Sequence, residues 1–157
     1  MHTTLTSSAF EHGDPIPVRH TGDGEDLSPD LQWTGVPPGT AQVALICSDP
    51  DARTPRPWIH WLLYGLPPTI DRLAAGVPTN PMPGFGGGLQ GKNSWGTIGY
   101  RGPAPPPGDG VHHYHFRLLG LTGDLNLEPG LVRSQLLKAI EGRLLFTAEL
   151  VGTYQRR

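Results

Sequence analysis

Cys47-Ser48-Asp49-Pro50-Asp51-Ala52-Arg53-Thr54-Pro55-Arg56-Pro57-Trp58-Ile59-His60-Trp61 decides the reading of this chain. The stretch leaves the apolar run Val43 to Ile46, passes two carboxylates and three prolines, and enters an aromatic segment holding one histidine. It reads as a stiff polar turn between two strands. Proline fixes its own φ and biases the preceding residue toward extended backbone, so Asp49 is held in place. Carboxylates at the end of one strand and a histidine early in the next make a candidate site. The same residues also read as a proline-rich turn that only connects strands, and the stretch alone leaves both open.

Working outward, Trp58 to Leu66 alternates, with Trp58, His60, Leu62, Tyr64 and Leu66 on one face and Ile59, Trp61 and Leu63 on the other. Both faces are apolar, as expected of a strand inside a two-layer structure. On such a face a histidine is more often a satisfied core residue than a catalytic one. Upstream, Ala41 to Cys47 is a buried strand entered through the turn Val36-Pro37-Pro38-Gly39-Thr40. Residues 5 to 20 alternate around Phe10, Ile16 and Val18, which predicts short edge strands broken at Asp14-Pro15.

The 157 residues suit one domain, 1–157, with a real core. Gly and Pro number 22 and 18, and the apolar runs between them predict short strands joined by stiff loops rather than disorder. Net charge is −2 and the basic residues are scattered, which argues against a nucleic-acid surface. The single cysteine, Cys47, has no disulfide partner and reads as a buried thiol. No segment reads as a secretion signal or a membrane span, so the expectation is a cytoplasmic protein without stable membrane insertion.

Downstream, Pro67 to Gly110 is mostly loop. Within it Gly86 to Asn93 spells G-x-x-x-x-G-K-N, close to a phosphate loop, but no helix can follow through Trp95-Gly96-Thr97-Ile98-Gly99-Tyr100. The glycines instead predict close backbone packing. Tyr100 to Gly110 reads as a proline wall. Then His112-His113-Tyr114-His115-Phe116-Arg117-Leu118 puts His112, Tyr114, Phe116 and Leu118 on one strand face and His113, His115 and Arg117 on the other. Two histidines on a strand with no third ligand of fixed spacing do not make a zinc site. Pro129 to Glu141 predicts a helix with the stripe Leu131, Val132, Leu136, Leu137 and Ile140, and Leu144 to Gly152 a last strand. The fold class is therefore mainly β with one C-terminal helix and long Pro/Gly-rich loops.

Four blocks in order carry a resemblance: Asp26-Leu27-Ser28-Pro29-x-Leu31-x-Trp33; Asp49-Pro50-Asp51-Ala52 with Trp58-x-His60-Trp61; Asn93-x-Trp95-Gly96-x-x-Gly99-Tyr100-x-Gly102-Pro103-x-Pro105-Pro106-x-Gly108; and His112-x-Tyr114-x-Phe116. Together with Ala148 to Tyr154 they resemble the phosphatidylethanolamine-binding protein family, in particular its bacterial YbhB/YbcL, Raf kinase inhibitor-like branch, over about residues 10 to 154. The resemblance implies a two-sheet β-sandwich with an anion-binding pocket near one end and no cofactor. Its pocket would comprise Asp49, Ala52, His60, Ala104, Pro106, His112 and Tyr114, with Trp58 as a wall and Asp51 and Ser28 supporting the rim. The chain departs from the family's usual pattern at Arg53, where many members have proline, and carries a second cation at Arg56.

The function this implies is a binding module for a small anionic or phosphorylated ligand, similar to a phospholipid headgroup, with a regulatory protein partner and a homodimer as further expectations. His60, His112 and Tyr114 are candidate donors to an anion, and affinity is expected to rise as pH falls from about 8 to 6 through histidine protonation. Two alternatives stand beside it. One is an esterase or phosphohydrolase using Asp49, His60 and His112, against which the chain offers no activated nucleophile. The other is a kinase or protease inhibitor acting by protein contact.

Overall fold

Strand β3, Gln42–Asp49, is flanked by β4, Trp58–Leu66, and by β7, His112–Leu121. The computed structural model describes residues 2–157, and in it these three strands form the middle of a five-stranded antiparallel sheet of order β6-β4-β3-β7-β8. Its edges are β6, Leu89–Gln90, and β8, Leu144–Tyr154. A smaller antiparallel sheet, ordered β1-β2-β5, is made of Thr4–Thr6, Leu31–Thr34 and Arg72–Leu73. The expected two-sheet sandwich is thus the observed fold.

Apolar residues fill both sides of the large sheet. Leu5, Leu31, Trp33 and Leu73 from the small sheet pack with Val43, Leu45, Trp61, Phe116, Leu118 and Leu150 in the space between the sheets. On the outer face Ala44, Ile46, Leu62, Tyr64 and Leu119 meet Leu136 of helix α1, Arg133–Ala139, and Ile140, which caps its end. Strands buried on both faces read as continuous apolar runs, which is why β3 and β4 do.

One irregularity positions the site. Cys47 pairs with Trp61 but Ser48 pairs with Ile59, so one step along β3 spans two along β4. This bulge breaks the expected alternation. Trp61 joins the inner cluster while Ile59, two residues away, joins the outer one. His60 is the extra residue and packs at 5.1 Å from the ring of Tyr114, a member of the inner cluster. His60 therefore does not share a face with Leu62 and Tyr64.

Two other expectations need correction. The helix spans Arg133–Ala139 rather than Pro129 to Glu141, because Gly130 has φ +81° and turns the chain there; Val132 and Leu137 are exposed. Residues 5 to 20 do not form a run of edge strands: Thr4–Thr6 is the only strand among the described residues there, followed by a 3-10 turn at Val18–His20. Phe10 and Ile16 still reach the core, whereas Val18 is exposed. The glycine loop does pack closely, since a Cβ on Gly91 would sit 2.3 Å from the Leu131 carbonyl oxygen. No helix is long and apolar enough to cross a membrane, among the described residues.

Candidate functional site

A cavity of about 300 Å³ opens at the ends of β3, β4 and β7. Asp49, the last residue of β3, and His112, the first of β7, lie at its base with Tyr114 and His60. Ala52, Arg53 and Thr54 of the turn, Ala104 to Pro106 of the proline segment, and Trp58 and Trp95 complete the lining. Eight of the ten residues expected at the pocket, its wall or its rim, Asp49, Ala52, Trp58, His60, Ala104, Pro106, His112 and Tyr114, thus meet around one space. Asp51 lies outside it: its carboxylate accepts from the His113 backbone N–H at 2.7 Å and from His113 Nδ1 at 2.8 Å, tying the turn to β7. Ser28 is also elsewhere, its hydroxyl accepting from the Val77 N–H. Arg56 is exposed and does not line the cavity.

The aromatic wall is built edge to face. Trp95 meets Trp58 at 5.4 Å and His60 at 5.0 Å between ring centroids. Asn93 shapes the loop that presents Trp95, donating to Gly99 O and accepting from the Trp95 N–H. Outside, the Arg101 guanidinium stacks 4.8 Å from the Trp95 ring centre. Such rings exclude water and strengthen each polar contact behind them.

The two histidines are held in opposite ways. His60 Nδ1 donates to the Arg101 carbonyl oxygen at 2.6 Å, and a carbonyl can only accept, so Nδ1 carries the proton. Burial pushes His60 down to about 4, despite the carbonyls and the charges of Asp49 and Asp26. Neutral His60 therefore presents Nε2 as a bare acceptor. By contrast, His112 has both ring nitrogens 2.6 Å from carboxylates, Nδ1 from Asp49 and Nε2 from Asp109. Burial opposes its charge, but the hydrogen bonds and charges of Asp49 and Asp109 outweigh it and raise its pKa.

These contacts revise the expected donors. Neither His60 nor His112 has an N–H free for an anion, and His60 takes up no proton between pH 8 and 6. Asp49 is also fully engaged, its second oxygen accepting from the Asp51 N–H at 2.8 Å. That leaves the Tyr114 hydroxyl, which has no hydrogen-bond partner among the described residues and whose pKa is raised by burial first and then by Asp49, so it stays a neutral donor. Arg53 adds charge at the mouth, where its Nε lies 2.7 Å from Asp109.

Sequence reasoning missed Asp109, Trp95 and Asp26. Asp109 sits three residues before His112, at the entrance to β7, where a carboxylate can reach the histidine ring. Trp95 lay inside a quoted motif without a role. Asp26 adopts φ 60° and accepts the Gly102 N–H at 2.7 Å, holding in place the backbone that anchors His60. Among the described residues no group of three or more His, Cys, Asp or Glu is placed to hold a metal ion.

A family profile described as phosphatidylethanolamine-binding protein matches residues 6–155. A UPF0098 protein of Methanothermobacter thermautotrophicus is 46% identical over 153 residues, covering 97% of this chain and 98% of the relative. Among solved structures, a phosphatidylethanolamine-binding protein homologue from Chlamydia trachomatis has a TM-score of 0.89 at 38% identity, covering 99% of both chains. Escherichia coli YbcL has a TM-score of 0.93 at 29% identity, covering 100% of both. Similar relatives occur in archaea and bacteria alike.

Proposed function

The chain belongs to the phosphatidylethanolamine-binding protein family, and on that premise we propose that its cavity binds a small phosphorylated anion, as a binding module and not a catalyst. One observation carries this reading: the Tyr114 hydroxyl and the Arg53 guanidinium line the same aromatic-walled space, with the charged ring of His112 beneath. The volume of about 300 Å³ suits a headgroup-sized ligand and not a macromolecule. The charges of Asp49 and Asp109 against His112 and Arg53 cancel, so a monoanion meets no net repulsion.

Hydrolysis has less support. No serine or cysteine lines the cavity, and the Thr54 hydroxyl donates to the Arg56 carbonyl. Burial and the Asp49 charge push the Cys47 thiol well up, and both His112 nitrogens are committed.

Calorimetric titration of inorganic phosphate at pH 6 tests the reading. Binding should weaken about tenfold in Tyr114→Phe, the loss of one hydrogen bond to a charged group. Absence of binding to the wild-type protein, or equal affinity of the variant, contradicts it.

A further inference from the structure

We infer that the pocket selects a phosphoryl group that still carries one proton, inorganic phosphate monoanion or a singly ionised phosphomonoester, with His60 Nε2 accepting a hydrogen bond from the ligand's P–OH. The inference rests on the anion-site reading above and names its substrate class.

The geometry begins at the Arg101 carbonyl. It fixes the proton on His60 Nδ1, so the nitrogen left for the cavity is a lone pair. A fully ionised oxyanion facing that lone pair places acceptor against acceptor in a buried space, where a mismatched polar pair is costly. A P–OH turns the same contact into a hydrogen bond. Burial holds His60 in this state against the pull of the neighbouring carboxylates. Asp49 and Asp26 act on it through space, the Asp49 and Asp109 carboxylates are spent on His112 and Arg53, and the Arg101 guanidinium faces the Trp95 ring. Tyr114 at 5.1 Å is a neutral phenol. A site of balanced charge adds to the preference, since each further negative charge on the ligand meets Asp49 and Asp109 without a free cation to offset it.

The chemistry separates phosphate sources. Phosphomonoesters lose their second proton at pH ~6 and inorganic phosphate in the neutral range, so both offer the P–OH near pH 6. A phosphodiester such as dimethyl phosphate, and sulfate, are fully ionised there and have none. The pH trend expected from the sequence, tighter binding as pH falls from about 8 to 6, is kept, but the proton belongs to the ligand and not to a histidine.

The test is calorimetry of the wild-type chain with four probes, inorganic phosphate, phenyl phosphate, dimethyl phosphate and sulfate, at pH 6, 7 and 8. The expected result is phosphate and phenyl phosphate bound about 10- to 100-fold more tightly than sulfate and dimethyl phosphate at pH 6, with the advantage shrinking toward pH 8. Sulfate binding as tightly as phosphate, or following the same pH trend, overturns the inference by placing the titrating proton on His112, while leaving the anion site standing. Failure of all four to bind overturns the anion site itself. In His60→Gln the side-chain amide can donate where Nε2 accepts, so sulfate should rise to within a few-fold of phosphate; an unchanged ratio contradicts the role of His60. Nitrogen-resolved NMR on the unaltered protein gives an independent check: His60 protonated on Nδ1 alone at pH 7 supports the inference, and protonation at Nε2 overturns it.

Discussion

The β4 side and the β7 side of the cavity each present one histidine, and the two behave oppositely. On β4, His60 has a carbonyl as its protein hydrogen-bond partner and is held neutral by burial; on β7, His112 is gripped by two carboxylates and held charged. Both are buried, so burial alone does not set their state. The partner does: a carbonyl gives too little to offset desolvation, whereas two carboxylates offset it.

Removing the partner on the β7 side gives the largest expected effect. Asp49→Ala strips the buried ring of one carboxylate and should cost about 3 kcal/mol in urea denaturation, with the His112 pKa falling. Acid should expose the β4 side next. A group with a depressed native pKa loses its stabilising contribution as pH falls, so His60 should cost about 3 kcal/mol between pH 6.5 and pH 4. His112 has the opposite sign: its contribution is full below pH 6.5 and is lost as pH rises through its raised native pKa. Stability measured against pH should therefore peak near the ordinary histidine value, and a flat profile there contradicts the contrast.

Gly102→Ala sharpens the β4 side from outside. An added Cβ would lie 2.2 Å from the His20 carbonyl oxygen, so the Arg101–Gly102 backbone must shift and draw the anchor away from His60. The expected cost is about 2 kcal/mol with a further fall in the His60 pKa, because the carbonyl that favours its protonated form is withdrawn, read by thermal unfolding and NMR titration. Arg53→Ala should do least to stability, within about 0.5 kcal/mol, because its guanidinium is exposed, yet it should weaken phosphate binding.

Much of this was legible in residue order. The apolar runs at Val43 and Trp58, the alternation through His112, Tyr114 and Phe116, and the motif blocks were enough for the sandwich and for most of the residues around the cavity. What escaped depends on pairing across distance. The bulge that turns His60 inward exists only in the register of β3 against β4, and no local pattern in Trp58 to Leu66 marks it. The clamp by Asp109 escaped because Pro107-Gly108-Asp109-Gly110 reads as an ordinary turn, and the helix start because Gly130 reverses the chain after Pro129. Residue types named the participants, but the direction of each hydrogen bond needed the fold.

Crystals grown with inorganic phosphate at pH 6 test the central claim most directly. A tetrahedral anion should occupy the cavity within hydrogen-bond distance of Tyr114 Oη and His60 Nε2. A cavity free of phosphate at saturating concentration, or phosphate bound only elsewhere on the surface, would contradict it.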